Sequence, residues 1–454
     1  MIRVNAKWRI IAVAGVAGLV LAACGSDDNA SPAASATPTS TGTPLYLVDG
    51  NLGTGPIAEL PAGTMTGVPG TLPGAQTATD FKDRLNTINA KLKTIGYSYG
   101  PESYDAVVLA ALAAQQANSD AGRAMAAEMQ AVSSGGTECT TFKDCNDLIQ
   151  KGTDIDYNGQ SGPIEFDTFG DPTAAFIGIY QYDDQNTVPG LTTDGEAVSF
   201  EAGTVDPTAG TAPKLTTRDN DGKDGQLQIG GYLPLTGSLA SLGPPEVAGV
   251  QLAIQDINAA GGVLGKDVLF FSGDSSDSSN FDKGIATIDK QIQRGVDMII
   301  GAASSSVSLN TLETVAQAGI MQVSPANTSP DLTTFPDQGL YFRTAPSDVL
   351  QGRVLGNLLN ADGIQNVAIL SLQDAYGEGL AKYTALSFTS GGGVVVTEPD
   401  TESQAIFYDP TASNFSAEVG KIKALDPDAI VLIGFDESAK VISEMVKQGV
   451  GPNS

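Results

Sequence analysis

An unmatched helix near one end of the chain and an unmatched strand near the other constrain the fold more than any other feature. Residues 436–449 have the periodicity of a helix that follows an apolar strand, and no further strand follows before residue 454. The apolar run 45–48, near the beginning, has no preceding helix. In a parallel sheet, a crossover helix returns to a neighbouring parallel strand. We therefore predict that residues 45–48 form a strand beside residues 429–433, so that the two ends of the chain share one sheet.

Apolar strands alternate with amphipathic helices through the second half of the chain. The runs that predict strands are 228–233, 268–272, 298–300, 321–323, 367–370, 394–397 and 429–433. Helical periodicity covers 246–259, 281–294, 309–318, 348–359, 379–388, 416–425 and 437–447. This order predicts an α/β fold built on doubly wound parallel sheets. The units divide near residues 361–363 into four and three, which predicts two lobes.

The first half of the chain adds further elements to this pattern. They are strands at 45–48 and 63–68, helices at about 78–95, 101–117 and 121–131, and a strand-rich stretch at 162–182. Between the two halves, residues 187–226 are polar and rich in Gly and Pro, with one short strand-like piece at 197–200. We interpret residues 187–226 as a linker.

The chain begins with a basic segment, residues 1–9, followed by the apolar and small residues 10–23. This arrangement is typical of a secretory signal peptide. The sequence LAAC at 21–24 resembles the lipobox of bacterial lipoproteins, which implies that Cys24 becomes the acylated first residue of the mature chain. The alternative is a plain signal peptide with an incidental cysteine. We expect an extracytoplasmic protein that is anchored to the cell membrane by lipidated Cys24, with residues 25–43 as a disordered tether.

Composition narrows the function classes. An exported compartment allows the remaining cysteines, Cys139 and Cys145, to form a disulfide, although two free thiols are the alternative. The sequence has no histidine, which excludes histidine-dependent triads and most transition-metal sites. No nucleophile–base pair can be assembled either, so we predict a protein that is not an enzyme and needs no metal or cofactor. With 52 acidic and 24 basic residues, the chain lacks the clustered positive charge that nucleic acid binding requires.

Two serine-containing segments come just beyond adjacent predicted strands. The segment GAASSS, residues 301–306, opens a helix whose N–H groups and hydroxyls form a seat for an anion such as a carboxylate. Ordinary helix capping by serine is the alternative. The segment VSPANT, residues 323–328, lies at the end of the next strand. Two polar strand ends on one rim predict a crevice of the kind in which open parallel sheets bind ligands.

Several motifs together resemble one protein family. In order, they are GYLPLTGSLASLGPPEVAGVQLAIQDINAAGGVLGK, GAASSSVSLN, SPANTSP, FRTAPSD, DAYGEGLA and VLIGFDES. Residues 227–454, which contain them, resemble the substrate-binding proteins of branched-chain amino-acid ABC transporters, the Leu/Ile/Val-binding type of periplasmic binding protein. The upstream segments LYLVDGNLGTG, PESYDAVVLAALAAQQA and SGPIEFDTFGDPTAAFIGIYQYDD resemble the closing third of that family. Relative to the family, the chain resembles a circular permutant whose usual ends are joined through residues 187–226.

The resemblance implies two Rossmann-like lobes on a hinge, in the manner of a type I periplasmic binding protein, with a small ligand enclosed between them. Carried onto this chain, the first lobe comprises residues 99–186 and 227–363. The second lobe comprises residues 44–98 and 364–454. The same order of segments also permits two chains to exchange their N-terminal parts, which would give a swapped dimer.

The resemblance also implies how the ligand is held. Hydroxyls and N–H groups near Ser305 and Thr328 would bind its carboxylate, and the carbonyl of Ala326 would accept a hydrogen bond from its ammonium. From the second lobe, Asp49 would pair with the ammonium; the alternative for Asp49 is a turn residue at a strand end. Tyr376 would form part of the wall, or else pack in the core. Because the partners come from both lobes, closure would depend on the ligand.

Two further residues implied by the resemblance bear on specificity. Phe435 would line the wall, and Leu242 occupies a loop position where relatives often carry an aromatic side chain over the ligand. The smaller Leu242 implies a different pocket, so the ligand need not be leucine, isoleucine or valine. We expect a solute receptor that delivers a branched-chain or related amino acid to an ABC permease. The alternatives are an amide- or urea-type ligand, and a sensory or surface protein that kept this fold.

Overall fold

A computed structural model describes residues 42–193, 195–205, 211–215 and 224–453. The predicted signal peptide, Cys24 and residues 25–41 of the predicted tether lie outside the described residues, as do parts of the predicted linker. Across the described ranges, no helix is both long and apolar enough to cross a membrane.

The described residues form short strands and longer helices. The strands are β1 (Leu45–Tyr46), β2 (Pro69–Pro73), β3 (Thr137–Cys139), β4 (Ile155–Tyr157), β5 (Ala174–Gln181), β6 (Ser199–Thr204), β7 (Gln228–Tyr232), β8 (Leu269–Phe271), β9 (Met298–Gly301), β10 (Met321–Ser324), β11 (Tyr341–Arg343), β12 (Asn366–Leu372), β13 (Val394–Val395), β14 (Ile406–Tyr408) and β15 (Ala429–Ile433). The helices are α1 (Gly55–Ala58), α2 (Thr79–Ile88), α3 (Leu92–Ile95), α4 (Gly100–Ala117), α5 (Gly122–Val132), α6 (Phe142–Ile149), α7 (Gly243–Ala259), α8 (Phe281–Arg294), α9 (Ser305–Gln317), α10 (Asp348–Ala361), α11 (Ala375–Ser390), α12 (Ser416–Leu425) and α13 (Ser438–Gln448).

The first lobe is built on a parallel sheet with the strand order β11-β10-β9-β7-β8. Successive residues of β9 face opposite sides of this sheet, as expected for a strand. Met298 and Ile300 pack with α4 and α7, whereas Ile299 packs against α8 and α9. Helices therefore cover both faces, which is the predicted doubly wound arrangement and explains why β9 is apolar throughout.

The second lobe is built on a parallel sheet with the order β1-β15-β12-β13, and β14 also pairs with β12. The predicted meeting of the chain ends is confirmed, because β1 pairs with β15 in the register Leu45 to Ile430 and Tyr46 to Val431. The ladder is shorter than predicted, since Leu47 forms a bridge with Gly70 instead. The predicted strand at 63–68 is wrong; this stretch is a turn with positive φ at two glycines, and the strand β2 begins at residue 69.

Core packing corrects the predicted lobe boundaries. Leu355 of α10 is buried in the core of the second lobe, so the boundary predicted at residue 363 lies before α10. In contrast, Phe81 of α2 is buried in the core of the first lobe, so the boundary predicted at residue 99 lies before α2. Strand β5 belongs to the second lobe through Tyr180. Helical periodicity predicts that an element has a buried face, but it does not tell which core that face joins. The chain thus crosses between the lobes near residues 74–78, 167–173 and 344–347, which form the hinge, and a fourth time between β6 and β7.

Part of the predicted linker is packed structure. Strand β6 pairs antiparallel with β5, which itself pairs antiparallel with β2, giving a three-stranded sheet beside the hinge. Val188 and Leu191, near the start of the predicted linker, are buried in the core of the second lobe. Elsewhere, Cys139 at the end of β3 and Cys145 in α6 form a disulfide, six residues apart in sequence.

Candidate ligand-binding site

The first-lobe side of the site is formed by the loops that follow β9 and β10. Ser304 caps α9, because its side chain accepts a hydrogen bond from the N–H of Val307 at 3.4 Å. The Ser305 hydroxyl accepts from the N–H of Ser329 at 3.2 Å, and the Asn327 amide donates to the carbonyl of Ala303 at 2.8 Å. Serine capping is therefore real here, and the same side chains tie the two loops into one rigid rim.

A buried ion pair fixes the loop that carries Thr328. The guanidinium of Arg343 is fully buried and contacts Asp171 through two hydrogen bonds, each 2.6 Å long. It also donates to the carbonyl of Ser329 at 2.8 Å and to the Thr333 hydroxyl at 2.8 Å. Bidentate pairing satisfies both charges, so Arg343 serves as a fixed support for this rim.

Asp49 lies three residues beyond β1 and is almost fully buried. Its carboxylate accepts hydrogen bonds from the hydroxyls of Tyr99 at 2.6 Å and Tyr376 at 2.7 Å, and from the side-chain amide of Gln351 at 2.9 Å. Burial raises the pKa of Asp49, while these three hydrogen bonds act in the opposite direction. These hydrogen bonds bring together residues that lie far apart in sequence. Tyr99 and Gln351 were not predicted as site residues from the sequence.

Asp348 is a second buried carboxyl in the same place, at the first position of α10. Its backbone N–H donates to the carbonyl of Thr328 at 2.7 Å, so the two side chains are neighbours. The Thr328 hydroxyl faces the Asp348 carboxyl, and neither group has any other hydrogen-bond partner. Burial, and then the negative charge of Asp49, raise the pKa of Asp348 well above its usual range. The Thr328 hydroxyl and the charge of Arg343 lower this pKa by a smaller amount.

Aromatic and aliphatic side chains form an apolar wall beside these carboxyls. The rings of Tyr376 and Phe435 are stacked, with centroids 5.5 Å apart and an interplanar angle of 13°. Leu242 and Ala326, from the first lobe, are buried in the same apolar cluster as these second-lobe rings. Tyr376 therefore stacks on Phe435 and also donates a hydrogen bond to Asp49.

The two lobes contact each other directly around this site. The Ser306 hydroxyl accepts a hydrogen bond from the N–H of Ala375, at the start of α11, at 2.9 Å. The Asp436 N–H donates to the carbonyl of Ser238 at 3.1 Å, and the Asp436 carboxylate accepts from the Ser241 hydroxyl at 3.0 Å. The lobes are thus closed on one another, and the residues between them are shielded from solvent.

All seven residues predicted to surround the ligand are buried where the lobes meet. Asp49 and Tyr376 are hydrogen-bonded, and Leu242, Ala326, Tyr376 and Phe435 share one apolar cluster. Ser305 and Thr328 lie on the first-lobe rim. The sequence missed Asp348, although it ends the quoted motif FRTAPSD. The available signal was its place at the start of a helix, directly after a strand on the same rim.

A family comparison agrees with this architecture. The model of a family described as "Periplasmic binding protein" matches residues 226–453, half of the chain. This chain belongs to the periplasmic binding protein family. A second model, described as "Receptor family ligand binding region", matches residues 52–185. The doubly wound lobes are those of a type I periplasmic binding protein.

Individual relatives match only part of their length. Leu/Ile/Val-binding protein homolog 2 of Brucella abortus is 32% identical over 236 residues, and homolog 1 of Brucella suis is 31% identical over 234 residues. Each match covers 49% of this chain and 58% of the relative. The branched-chain amino acid transporter substrate binding protein LivJ from Streptococcus pneumoniae, solved with isoleucine, is 27% identical with a TM-score of 0.43, over 50% of this chain and 62% of that one. The chain thus spans less than two thirds of the length of these relatives.

Proposed function

We propose that this periplasmic binding protein captures a small amino acid between its lobes and delivers it to an ABC permease. The observation that carries the proposal is the pair of buried polar groups on Asp348 and Thr328, which have no hydrogen-bond partner beyond each other and lie next to Asp49 between closed lobes. Leaving such atoms unpaired costs about 1–3 kcal/mol each, so a ligand that supplies their partners is bound favourably. The printed names of the Brucella relatives, which are Leu/Ile/Val-binding proteins, support the same class of ligand.

In this proposal, the zwitterion is divided between two sets of partners. The N–H groups at the start of α9, near Ser305, and the Thr328 hydroxyl bind the carboxylate. The ammonium donates to the carboxylates of Asp348 and Asp49 and to the carbonyl of Ala326. Burying either charge without such a partner would cost several kcal/mol, so both ends of the ligand are needed for closure.

The apolar wall sets the side chain that is accepted. Tyr376 and Phe435 present a stacked surface, and Leu242 of the first lobe belongs to the same apolar cluster. An aliphatic group of a branched-chain or related amino acid packs against such a surface. Urea and simple amides lack both the ammonium and the apolar group, so the two carboxyls favour amino acids over them.

Calorimetric titration of the full-length protein tests this function with three matched ligands. L-leucine carries both charges, L-leucinamide lacks the carboxylate, and 4-methylpentanoate lacks the ammonium. We expect at least one α-amino acid from a panel that includes leucine to bind, and its two truncated analogues to bind at least tenfold more weakly. Binding of acetamide or urea, with no binding of any amino acid, would overturn the proposal.

We also propose that the chain order is permuted relative to other family members, with the usual ends joined through residues 187–226. Support comes from the β1–β15 ladder and from the separate matches of 226–453 and 52–185 to ligand-binding families. Static light scattering of the Cys24→Ser variant tests whether one chain closes its own sheet. A monomer is expected, and an obligate dimer would indicate a swap of N-terminal segments between chains.

Attachment through lipidated Cys24 to the outer face of the cell membrane completes the proposal. It is supported by the LAAC sequence at 21–24, which follows a basic and then an apolar segment. Metabolic labelling with a radioactive fatty acid, compared between the natural chain and Cys24→Ala, tests it. Label is expected only in the natural chain; label that persists in Cys24→Ala would place the lipid elsewhere.

A further inference from the structure

Two glutamates that the ligand site does not use lie where α4 and α7 begin. Glu102 is in the first turn of α4 and Glu246 is in the first turn of α7, and both side chains are almost completely buried. The helices touch through Gly249, where an added Cβ would lie 2.1 Å from the carbonyl oxygen of Gly100. This close approach brings the two first turns together, and the two carboxyls are in electrostatic contact.

Both carboxyl oxygens of Glu246 lack a hydrogen-bond partner, although the side chain is fully buried. The charged group that acts on Glu246 is Glu102, which is also negative. Burial raises the pKa of Glu102 to about 8 and that of Glu246 well above its usual range. Among the described residues, no group of three or more acidic or cysteine side chains could hold a metal ion. The negative charge of the Glu246 carboxylate is therefore neutralised either by protonation or by an organic cation.

This pair is continuous with the ligand site. Tyr99, the residue before α4, donates to Asp49 at 2.6 Å. Burial and then the charges of Asp49, Glu102 and Asp348 raise the pKa of Tyr99, which shows that its hydroxyl lies within electrostatic reach of all three carboxyls. On α7, Glu246 comes one helical turn after Leu242 on the same face. Leu242, the residue before α7, belongs to the apolar cluster that contains Tyr376 and Phe435.

The geometry points to a ligand with a second protonated nitrogen, which Glu246 and Glu102 hold beyond Leu242 while Asp348 and Asp49 hold the first. This inference rests on the proposed function and narrows its ligand class to amino acids with an amine-bearing side chain. An amine supplies two or three N–H donors to the Glu246 carboxyl oxygens, which otherwise have none, and hydrogen bonds between charged groups are the strong ones.

A titration of the full-length protein with matched amino acids tests this inference. L-norleucine has the carbon chain of L-lysine and lacks only the terminal amine; L-ornithine and L-2,4-diaminobutyrate place that amine closer. We expect at least one of the three diamino acids to bind at least tenfold more tightly than norleucine. If leucine or norleucine binds and no diamino acid binds more tightly, the inference is overturned and the proposed function stands. If no amino acid binds, the proposed function itself fails.

Glu246→Gln keeps the shape of the side chain and removes its charge, so it separates the second subsite from the first. We expect the variant to bind the preferred diamino acid at least tenfold more weakly, with norleucine affinity changed less than twofold and an unchanged or higher melting temperature. Equal losses for both ligands would overturn the assignment of Glu246. Should this variant fail to fold, Glu102→Gln serves the same comparison, with the same expected selectivity.

Discussion

Replacing Asp348 by asparagine separates ligand binding from folding, because the two are expected to change in opposite directions. The Asp348 carboxyl is buried beside the Thr328 hydroxyl with no other hydrogen-bond partner, and Asp49 repels its charge. The pKa of Asp348 is raised in the folded state, so at pH 8 the ionised group destabilises the empty protein. Asparagine removes that charge. We expect the free energy of unfolding at pH 8 to rise, because each unit by which folding raises the pKa of a carboxyl costs about 1.4 kcal/mol above that pKa and asparagine does not titrate.

Ligand binding should become weaker in the same variant. A hydrogen bond between charged groups contributes about 1.5–3 kcal/mol, so the loss of the ammonium contact corresponds to a dissociation constant about 10- to 150-fold higher. Denaturant unfolding without ligand and calorimetric titration with the amino acid that binds the natural protein measure the two changes separately.

Asp105→Asn is the matched control, because Asp105 is equally buried but fully hydrogen-bonded. Its carboxylate accepts from the Tyr157 hydroxyl at 2.7 Å, the Gln160 N–H at 3.0 Å, and the N–H and hydroxyl of Ser161 at 2.7 and 2.6 Å. This variant should lose stability and keep its affinity within about twofold. If Asp348→Asn instead loses stability and keeps its affinity, Asp348 supports the fold and does not contact the ligand.

Three further outcomes are expected. Asp171→Asn leaves the buried charge of Arg343 without its partner, so it should lower the free energy of unfolding by about 3–5 kcal/mol in a denaturant titration. Lys143→Ala, at an exposed ion pair, should leave the denaturation midpoint unchanged. A similar midpoint for both variants would contradict the role of the buried pair. Replacing both Cys139 and Cys145 should lower the free energy of unfolding by about 2 kcal/mol, because the disulfide closes a short loop. An unchanged free energy of unfolding would argue against the disulfide. Burial raises the pKa of Asp337 and of Glu437 to about 7, so the folded state binds protons more tightly than the unfolded state. Calorimetry should therefore show that the melting temperature falls between pH 5 and pH 8. A melting temperature that rises over this pH range would contradict the raised pKa values.

The pairing of the chain ends could be predicted because it follows from connectivity. A parallel strand needs a neighbour, and the apolar run at 45–48 was the free partner for the sheet that ends at 429–433. The ligand rim followed from the same logic, since the ends of adjacent parallel strands share one edge. Asp49 and Tyr376, which follow β1 and β12 of one sheet, accordingly lie together and share a hydrogen bond.

Which core an element joins, and which acids are buried, could not be predicted in the same way. The apolar stripe of α10 is compatible with either lobe, and only packing assigns Leu355 to the second. An acidic residue in the first turn of a helix normally indicates a favourable interaction with the helix dipole at the surface. Glu246 and Asp348 have that sequence position, and nothing in the local pattern reveals that the opposing lobe and helix bury them.

A crystal structure of the protein grown with the amino acid that binds it tests the central claim most directly. We expect one ligand between the lobes, with its ammonium within hydrogen-bond distance of Asp348 and its carboxylate at the start of α9. We also expect Asp49 to reach this ligand from the same chain that supplies Asp348. A ligand bound outside the meeting point of the lobes, or an Asp49 supplied by a neighbouring chain, would contradict it.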